Sequence, residues 1–524
     1  MNRTIFTKLV KLHILTPGGI CTLLGSFFRD GISLMALMRF AAKYYPKHCA
    51  LAYKDKRLNY KEFYDHTQRL AKLLYCDHSL KTGMCVGLLC RNHITMALLL
   101  PALSRLGVKV KLLNTDIAPI KLKEQVERNK INLLIYDAEL KENRVPTDLP
   151  CETRESEDLY KEIFDNTHGS CGKREVECSV PRSTFHHSLG TDVRLPRIRR
   201  GGEISVFTGG SSGRSKEAPR KMSVGQFLPP FYALLEQLRL DEYASVLLAL
   251  PVYHGFGLAT LIMSLVMGKK VSLMSHFDAK TALKTIADEK IEVVPVVPAM
   301  LARLWQINEA TTIMKTVKCI ISGGDRLDKK WADITQKHLG NVLFNLFGTS
   351  EAGFFMIASP DDLSRNEEVP IGRPISGVKC KVDNIDSHGI GSLWVRSRWA
   401  MISLKNKWQD TGDLVYCDGK GCYFYRGRSD NMVVCGGENV FPENVEKVIN
   451  SHPEVINSMV SPAQDTDFGT VLNAKVELKP DSTLLPDTLK VWLQPRLTRA
   501  EMPHHITITT IRTLNSGKID RKED

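Results

Sequence analysis

Short apolar runs alternate with amphipathic segments along much of this chain. Residues 84–90 form a continuous apolar run of strand length, and residues 95–106 then place apolar side chains at helical spacing. Further strand-like runs, each bounded by turn residues, lie at 132–136, 245–250, 271–274, 292–297, 318–321 and 342–346. Strands that alternate with helices predict an α/β fold of parallel and mixed sheets covered by helices.

The pattern changes twice towards the C-terminus. Closely spaced strands at 379–382, 392–396 and 422–425, each bounded by Gly or Asp, predict a β-rich subdomain. The last hundred residues combine a helix at Pro442–Asn450 with strands near Ser458 and Ala474. Typical domain sizes, together with the resemblance carried by the motifs given below, predict a large N-terminal domain, 1–428, and a small α+β C-terminal domain, 429–524, which that resemblance implies is mobile.

One stretch interrupts the alternation of strands and helices. Residues 139–200 are polar, rich in charges and punctuated by four prolines. This composition predicts a variable surface segment rather than part of the sheets.

Composition narrows the class of partner. The 524 residues are 43% hydrophobic and 25% charged, as in a folded globular protein, and the net charge of +13 favours anionic partners. The basic residues are scattered and accompany no DNA- or RNA-binding motif, so we expect no nucleic acid partner. The 13 cysteines contain no CxxC pair, which favours reduced thiols and a cytoplasmic protein.

The N-terminus is apolar but interrupted. Between residues 5 and 28 the run contains Lys8, Lys11, His13 and Pro17, which argues against a membrane span, and no signal-peptide cleavage pattern follows it. Basic residues beside apolar ones leave two interpretations open. The segment packs against the main domain, or it makes a peripheral contact with a lipid surface.

The most distinctive motif follows a strand-like stretch at 204–207. It runs Thr208-Gly-Gly-Ser-Ser-Gly-Arg-Ser-Lys216. Glycines let backbone N–H groups approach phosphate oxygens, the hydroxyls add donors, and Lys216 with Arg214 adds positive charge. The motif predicts a polyphosphate-binding loop of a non-Walker type, with a flexible surface loop as the alternative.

A second motif, Phe347-Gly-Thr-Ser-Glu351, follows the strand at 342–346. Ligands collect at the carboxyl edge of parallel strands. There Phe347 can stack on a base, Thr349 and Ser350 can bind a phosphate, and Glu351 can bind Mg²⁺, which prefers oxygen ligands. An ordinary polar turn is the alternative for this motif alone.

Four shorter motifs come next along the chain: Asp410-Thr-Gly-Asp413, Gly427-Arg-Ser-Asp430, Gly436-Gly-Glu-Asn439 and Asn515-Ser-Gly-Lys518. None of them is decisive alone. In this order, and together with the two upstream motifs, they resemble the adenylate-forming superfamily, which includes AMP-forming acyl-CoA synthetases and the adenylation domains of peptide synthetases. The likeness spans roughly residues 58–521.

The resemblance implies a role for each matching position. The ATP phosphates would be bound by Thr208, Gly209, Gly210, Ser211, Ser212, Gly213 and Lys216. Adenine would lie against Gly324, Asp325, Phe347 and Gly348, the α-phosphate against Thr349 and Ser350, and the ribose against Asp413 and Arg428. Glu351 would bind Mg²⁺, Asp430 would be the hinge, Gly436 and Gly437 would line the coenzyme A channel, and Lys518 would be the adenylation lysine.

The implied reaction has two steps. The carboxylate of the acid attacks the α-phosphate of ATP, pyrophosphate leaves, and the acyl-adenylate then reacts with the thiol of coenzyme A. By the resemblance, Lys518 stabilises the charge that develops in the first step. The C-terminal domain then rotates, so that one site serves both steps.

The substrate class follows from Pro251-Val-Tyr-His-Gly-Phe-Gly-Leu258. Amino-acid-activating relatives usually place an Asp in this region, and here it is absent. His254 resembles the catalytic histidine of acyl-CoA synthetases, so a fatty or other hydrophobic carboxylic acid is the expected substrate.

Several positions depart from the family pattern. Phe347 stands where Tyr is usual, Ser350 where Thr is usual, and Ser392 where Glu is usual. Because Ser392 lies near the domain junction, the acyl acceptor is less firmly implied than adenylation. Two alternatives remain: transfer to an acyl carrier protein, and a non-catalytic lipid-binding or transport protein.

Overall fold

The computed structural model describes residues 3–164, 193–208, 216–220, 224–349, 351–401, 404–429, 431, 433–435, 438–465, 469–512, 519 and 521. Its α-helices are α1 Arg3–Lys11, α2 Pro17–Asp30, α3 Leu34–Tyr44, α4 Tyr60–Asp77, α5 Ile94–Leu106, α6 Pro119–Arg128, α7 Lys141–Arg144, α8 Ser156–Phe164, α9 Val224–Gln237, α10 Gly255–Val266, α11 Ala279–Asp288, α12 Pro298–Trp305, α13 Ala310–Ile313, α14 Lys329–Leu339, α15 Pro360–Arg365, α16 Pro442–Asn450 and α17 Pro486–Leu493.

The strands are β1 Cys49–Tyr53, β2 Lys56–Asn59, β3 Cys85–Leu89, β4 Lys109–Leu112, β5 Leu133–Tyr136, β6 Glu152–Glu155, β7 Ile204–Thr208, β8 Lys216–Arg220, β9 Ser245–Leu248, β10 Lys270–Leu273, β11 Val293–Val296, β12 Cys319–Gly323, β13 Leu343–Thr349, β14 Gly353–Ala358, β15 Arg373–Pro374, β16 Lys379–Asp383, β17 Ile390–Arg396, β18 Gln409–Cys417, β19 Tyr423–Arg428, β20 Val433–Cys435, β21 Glu438–Val440, β22 Val455–Asp465, β23 Gly469–Leu478 and β24 His505–Ile508.

The chain forms two compact units. The first comprises Met1–Val224 and Val252–Ser275, and the second comprises Gly225–Pro251 and His276–Asp524. The predicted domain boundary at residue 428 does not coincide with the boundaries between these units, since it falls inside the second unit. That division stays a prediction.

The first unit is built on a six-stranded sheet in the order β6-β5-β3-β4-β7-β8. Its strands are parallel except for the antiparallel β7–β8 pair at one edge. Every residue of α5 is buried. The sequence of α5 is apolar on all sides, which is typical of an internal helix.

The second unit places β9, β11, β12 and β13 side by side and parallel, followed by antiparallel β14 and β15. An antiparallel sheet, β16 to β19, follows in sequence and is the predicted β-rich subdomain. The C-terminal part pairs β22 with β23 and β24 and packs α16 and α17 over an apolar cluster that includes Val445, Ile449 and Leu489. The α/β fold class is therefore confirmed.

The prediction for residues 139–200 was wrong over part of its length. In that stretch β6 pairs in parallel with β5, and α8 buries Leu159 and Ile163. The polar sequence of β6 misled the prediction because an edge strand leaves its side chains exposed or half-exposed.

Both N-terminal helices belong to the first unit and bury one side. α1 buries Ile5 and Leu9, and α2 buries Gly19, Ser26 and Asp30. Among the described residues, no helix combines the length and the apolar character that crossing a bilayer requires.

Candidate nucleotide-binding site

A cavity of ≈ 470 Å³ opens in the second unit. It is lined by the ends of β12 and β13, by strands β18 and β19, and by α16. The predicted nucleotide-binding residues among its lining are Gly324, Asp325, Phe347, Gly348, Thr349, Asp413 and Arg428. Four separate segments of the sequence, 324–325, 347–349, 413 and 428, therefore meet around one cavity.

Strand pairing explains how the segments that contain Gly324 and Phe347 meet. β12 and β13 are parallel, with Gly323 opposite Leu346. Gly324 directly follows the end of β12 and Phe347 is the next residue of β13, so both lie at the same carboxyl edge. Gly324 has a φ of +82°, a conformation that glycine adopts without strain and that turns the chain there.

Phe347 forms part of an aromatic wall. Its ring is edge-on to Phe355 at 5.6 Å between centroids and lies 6.4 Å from the ring of Tyr425. Phe347 is half-buried, so part of its surface remains open to a ligand. An aromatic ring held at a cavity wall suits stacking against a purine base.

The turn after Phe347 is tightly constrained. A Cβ on Gly348 would lie 2.4 Å from the carbonyl oxygen of Gly353, so only glycine fits there. Thr349 Oγ1 accepts a hydrogen bond from the N–H of Ala352 at 3.0 Å, which leaves its own hydroxyl proton for another acceptor. The predicted contact with a phosphate is compatible with this geometry.

Asp413 and Arg428 face each other across the antiparallel pair β18–β19. Arg428 Nη1 donates to Asp413 Oδ1 at 3.2 Å and to the carbonyl oxygen of Thr411 at 2.7 Å. Burial raises the pKa of Asp413 above its ordinary value, and the guanidinium of Arg428 opposes part of that rise. The pair presents a shielded carboxylate, suited to accept hydrogen bonds from ribose hydroxyls, beside a cation.

Glu351, the predicted magnesium ligand, lies in the turn between β13 and β14. Its carbonyl oxygen accepts a hydrogen bond from the N–H of Met401 at 2.7 Å, which ties this turn to the segment that follows β17. It is not among the cavity-lining residues, although it is two positions from Thr349, which is. Its role as a magnesium ligand stays a prediction.

His254 lies in the first unit, at the N-cap position of the apolar helix α10. Its ring lies 4.7 Å from that of Tyr253, and burial raises the pKa of Tyr253 to about 12. Asn92 Oδ1 accepts a hydrogen bond from the N–H of Val252 at 2.9 Å and orders the turn before the helix. The catalytic role of His254 is not tested by this placement.

The polyphosphate-binding motif begins and ends on a β-hairpin of the first unit. Thr208 closes β7, Lys216 opens β8, and the two residues are paired across the strands. The remaining predicted ligands and the hinge lie outside the described residues: Gly209, Gly210, Ser211, Ser212, Gly213, Ser350, Asp430, Gly436, Gly437 and Lys518.

Comparison with known proteins gives the family. The family described as AMP-binding enzyme matches residues 38–403. This chain belongs to that family. The resemblance to adenylate-forming enzymes inferred from the motifs is thus confirmed.

Similar AMP-binding enzymes are named as coenzyme A ligases. The chain is 25% identical over 474 residues to a 2-succinylbenzoate–CoA ligase of Bacillus subtilis, covering 87% of this chain and 90% of the relative. It is 24% identical over 492 residues to a 2-succinylbenzoate–CoA ligase of Staphylococcus aureus, covering 91% and 96%.

Solved structures show the same fold. The B. subtilis o-succinylbenzoate coenzyme A synthetase in complex with ATP and magnesium superposes with a TM-score of 0.73 at 22% identity, covering 92% of this chain and 97% of that one. An anthranilate CoA ligase in complex with anthranoyl-AMP superposes with a TM-score of 0.77 at 18% identity, covering 93% and 95%.

Sequence reasoning missed an ion pair in the cavity wall of this AMP-binding enzyme. Arg521 donates from both Nη atoms to both carboxylate oxygens of Glu446 at 2.8 Å. Burial raises the pKa of Glu446, and Arg521 opposes the rise. The available signal was a charged residue at a buried position of the amphipathic helix α16, three residues after Glu443.

Further polar contacts join α16 to the loop after β12, to β19 and to the segment after α15. Arg326 Nη1 donates to the carbonyl oxygen of Glu443 at 3.0 Å, and the hydroxyl of Tyr425 donates to Glu443 Oε2 at 2.9 Å. Glu368 Oε1 accepts from Lys447 Nζ at 2.8 Å. Burial and Glu443 raise the pKa of Tyr425, so the phenol stays protonated as a donor.

Asp328 also lines the cavity and had no role in the sequence prediction. Burial raises its pKa to about 6, and Arg326 opposes that rise. Asn450 Nδ2 lies 3.5 Å from Asp328 Oδ2, a long contact. The charge of this wall therefore changes in the mildly acidic range.

A second polar cluster lies in the first unit, where Cys90, His93 and Asp137 place their ligand atoms within 4.8 Å of one another. Its groups already satisfy each other. His93 Nε2 is 2.8 Å from Asp137 Oδ1, and His93 Nδ1 accepts the N–H of Met96 at the start of α5. Ser156 donates to the same carboxylate at 2.7 Å. With both ring nitrogens engaged, the cluster is explained as a structural clamp between β3, β5 and α5.

Proposed function

We propose that this protein activates a carboxylic acid with ATP as an acyl-adenylate and then transfers the acyl group to the thiol of coenzyme A. The observation that carries the proposal is the meeting of four separate segments, represented by Asp325, Phe347, Asp413 and Arg428, around one cavity in an AMP-binding enzyme. The names of the relatives support coenzyme A as the acceptor.

The lining residues suggest how a nucleotide is held. Phe347 offers a ring to the adenine, Asp413 and Arg428 offer an acceptor and a cation to the ribose, and Thr349 offers a hydroxyl to the α-phosphate. We assign the other phosphates to the loop between Thr208 and Lys216.

A magnesium ion fits this donor set, because a carboxylate next to the phosphate-binding turn is the oxygen ligand that the ion prefers. Glu351 would hold it. When bound, the ion neutralises phosphate charge. The acid's carboxylate attacks the α-phosphorus, the bond to the bridging oxygen of pyrophosphate breaks, and Lys518 offsets the negative charge on the α-phosphate.

The second step forms the thioester. The sulfur of coenzyme A attacks the acyl carbon, AMP leaves with its phosphate oxygen, and the thiol proton is released. We assign the thiol channel to the segment that contains Gly436 and Gly437. Asp430 is the proposed hinge between the two steps, with 429–524 as the domain that turns.

The substrate is proposed to be a hydrophobic acid without an α-amine. Apolar side chains of α10, among them Phe256, Leu258 and Ile262, are half-exposed beside His254 and can contact an acyl group. A fatty acid, as expected from the sequence, is one class of substrate that fits this proposal. The relatives' names include 2-succinylbenzoate and anthranilate, so aromatic acids belong in the same comparison.

A reducing compartment suits the protein. The described cysteines are all free thiols, and several of them are buried, including Cys85, Cys90 and Cys319. A cytoplasmic location is part of the proposal.

A panel of fatty, aromatic and amino acids tests the proposal. Pyrophosphate release is measured with ATP and Mg²⁺, with and without coenzyme A, and thioester is detected by mass spectrometry. We expect release with at least one hydrophobic acid and thioester only when coenzyme A is added. Pyrophosphate release without any thioester would indicate that the acyl acceptor is a carrier protein rather than coenzyme A. Failure of every acid would contradict adenylation.

A further inference from the structure

The outer side of α2 exposes an apolar stripe. Ile20, Leu24 and Phe28 are 43%, 63% and 75% exposed. Their spacing of four residues places them along one face of the helix. Contiguous exposed apolar side chains on a folded surface mark an interaction site more often than single ones do.

The fold holds this stripe in place. The inner side of α2 buries Ser26 and Asp30, and Asp30 accepts charged hydrogen bonds from Arg39 at 2.6 Å and from Arg105 at 3.2 Å. Thr16 caps the start of the helix by accepting from the N–H of Gly19. The stripe is therefore a surface of a docked helix, not of a frayed end.

An arginine-rich segment borders the same helix. Residues 193–200 read VRLPRIRR, and the N–H of Ile32, just after α2, donates to the carbonyl oxygen of Arg199 at 3.1 Å. The guanidinium of Arg197 lies 5.2 Å from the ring of Phe28. We define the basic rim as the exposed residues Arg29, Arg194, Arg197, Arg199 and Arg200.

Negative charge is lacking in this neighbourhood. Helices α1 and α2 and residues 193–200 contain one acidic residue, Asp30. Because Asp30 is buried and paired with two arginines, it does not offset the basic rim. Within these segments the exposed apolar side chains of the stripe therefore lie beside exposed arginines and no exposed acid.

We propose that this surface docks on a membrane that contains anionic phospholipids. Ile20, Leu24 and Phe28 enter the boundary between headgroups and acyl chains, and the basic rim pairs with lipid phosphates. An anionic membrane is one target that binds both the apolar stripe and the basic rim. Nucleic acid would bind the arginines but not the stripe, and a second copy would place like charges opposite each other.

Vesicle flotation of the full chain tests the proposal. Vesicles of phosphatidylcholine alone are compared with vesicles that also contain phosphatidylserine, at low and high salt. We expect binding only to the anionic vesicles and weaker binding as salt rises. The double change Leu24→Asn with Phe28→Asn, and separately Arg197→Glu with Arg200→Glu, should each lower vesicle affinity about tenfold or more.

Helix α6 provides matched controls in the same unit. Ile120 is 76% exposed and Lys121 is exposed beside it, so Ile120→Asn with Lys121→Glu changes the same residue types elsewhere. This control should keep vesicle binding, and all variants should keep the thermal unfolding midpoint of the parent protein.

Equal binding to uncharged vesicles, or retained vesicle binding by the Leu24 and Phe28 variant, would overturn the proposal. So would a concentration-dependent dimer that this variant abolishes in a protein that does not bind vesicles. Failure to float with any vesicle, combined with binding of single-stranded RNA through the arginines, would also contradict the proposal.

Discussion

Asp413 and Asp328 are among the carboxylates of the cavity wall whose pKa values are raised by burial. For Asp413 the shift is opposed by Arg428 at 3.2 Å. Asp328 is opposed only through the longer-range charges of Arg326 and Lys330, and its pKa rises to about 6. The rise in pKa is therefore opposed by a close cation at Asp413 and only by more distant cations at Asp328.

The change Asp413→Asn tests the proposed ribose contact. The amide keeps the shape of the side chain but has one acceptor oxygen instead of two, so we expect ATP to bind about ten- to a hundredfold more weakly. Isothermal titration calorimetry measures the affinity. Asp361→Asn, at an exposed carboxylate on α15 outside the cavity lining, should leave the affinity unchanged. Equal affinities for both variants would rule out the ribose role.

The change Asp328→Asn tests the raised pKa. Since the pKa is about 6 in the folded protein and lower in the unfolded chain, the folded state binds more protons between pH 4 and 6. The stability contribution of Asp328 is therefore fully present below that window and is lost as pH rises through 6. Asn remains neutral, so the variant should gain about 1–3 kcal/mol over the parent above pH 6 and nothing near pH 4.

Urea denaturation at pH 4.5 and at pH 7.5 measures that difference in the free energy of unfolding. Asp333→Asn serves as the control, because Asp333 is an exposed residue on the same helix, paired with Lys329 at 2.9 Å. A gain that is the same at both pH values would contradict the assignment.

Among the elements, α16 connects the predicted motifs to the end of the chain. Its buried side contributes Val445 and Ile449 to the C-terminal core, and Glu446 on that side pairs with Arg521. Arg521 lies three positions after Lys518 in the sequence, and of residues 518–520 the structure describes only Ile519. The ion pair therefore anchors the chain close in sequence to the proposed adenylation lysine.

We expect Arg521→Gln to affect adenylation more than thioester formation. Loss of the guanidinium leaves Glu446 without its ionic partner, which should lower the free energy of unfolding by about 1–3 kcal/mol. It should also free the segment that carries Lys518. Pyrophosphate release and conversion of supplied acyl-adenylate are measured separately. Arg499→Gln, at an exposed arginine of the same domain, is the control. A purely structural role would lower both half-reactions equally.

For the molecule as a whole, the observed units and the predicted domains describe different things. The two compact units are set by where side chains pack, and the second unit joins the parallel strands to the C-terminal helices. The predicted division at 428 concerns a rotation between two reaction steps. The contacts of Arg326 and Lys447 lie within that second unit and cross the predicted division.

Lys518→Ala tests the two-step mechanism. We expect pyrophosphate release to fall by at least a hundredfold, because the lysine offsets charge in the first transition state, while supplied acyl-adenylate is still converted to thioester. Lys479→Ala, at an exposed lysine of the C-terminal domain, is the control and should leave both half-reactions intact. If Lys518→Ala also leaves both unchanged, the assignment of the lysine is wrong.

Local patterns in the sequence were sufficient for the α/β class and for β3 and the buried helix α5, whereas the family resemblance supplied the full set of predicted nucleotide-binding residues that line the cavity. Local patterns sufficed there because strand and helix periodicity are properties of neighbouring residues. The polar edge strand β6 was not predicted, because its stability comes from a partner strand rather than from its own side chains.

Tertiary structure alone decided the rest. It paired Glu446 with Arg521, 75 positions apart, withdrew Asp328 from solvent, and left one face of α2 uncovered beside an arginine-rich segment more than 160 positions away. Each depends on which distant groups exclude water from a side chain. Desolvation and long-range ion pairing are set by the folded surroundings, so no local pattern of residues encodes them.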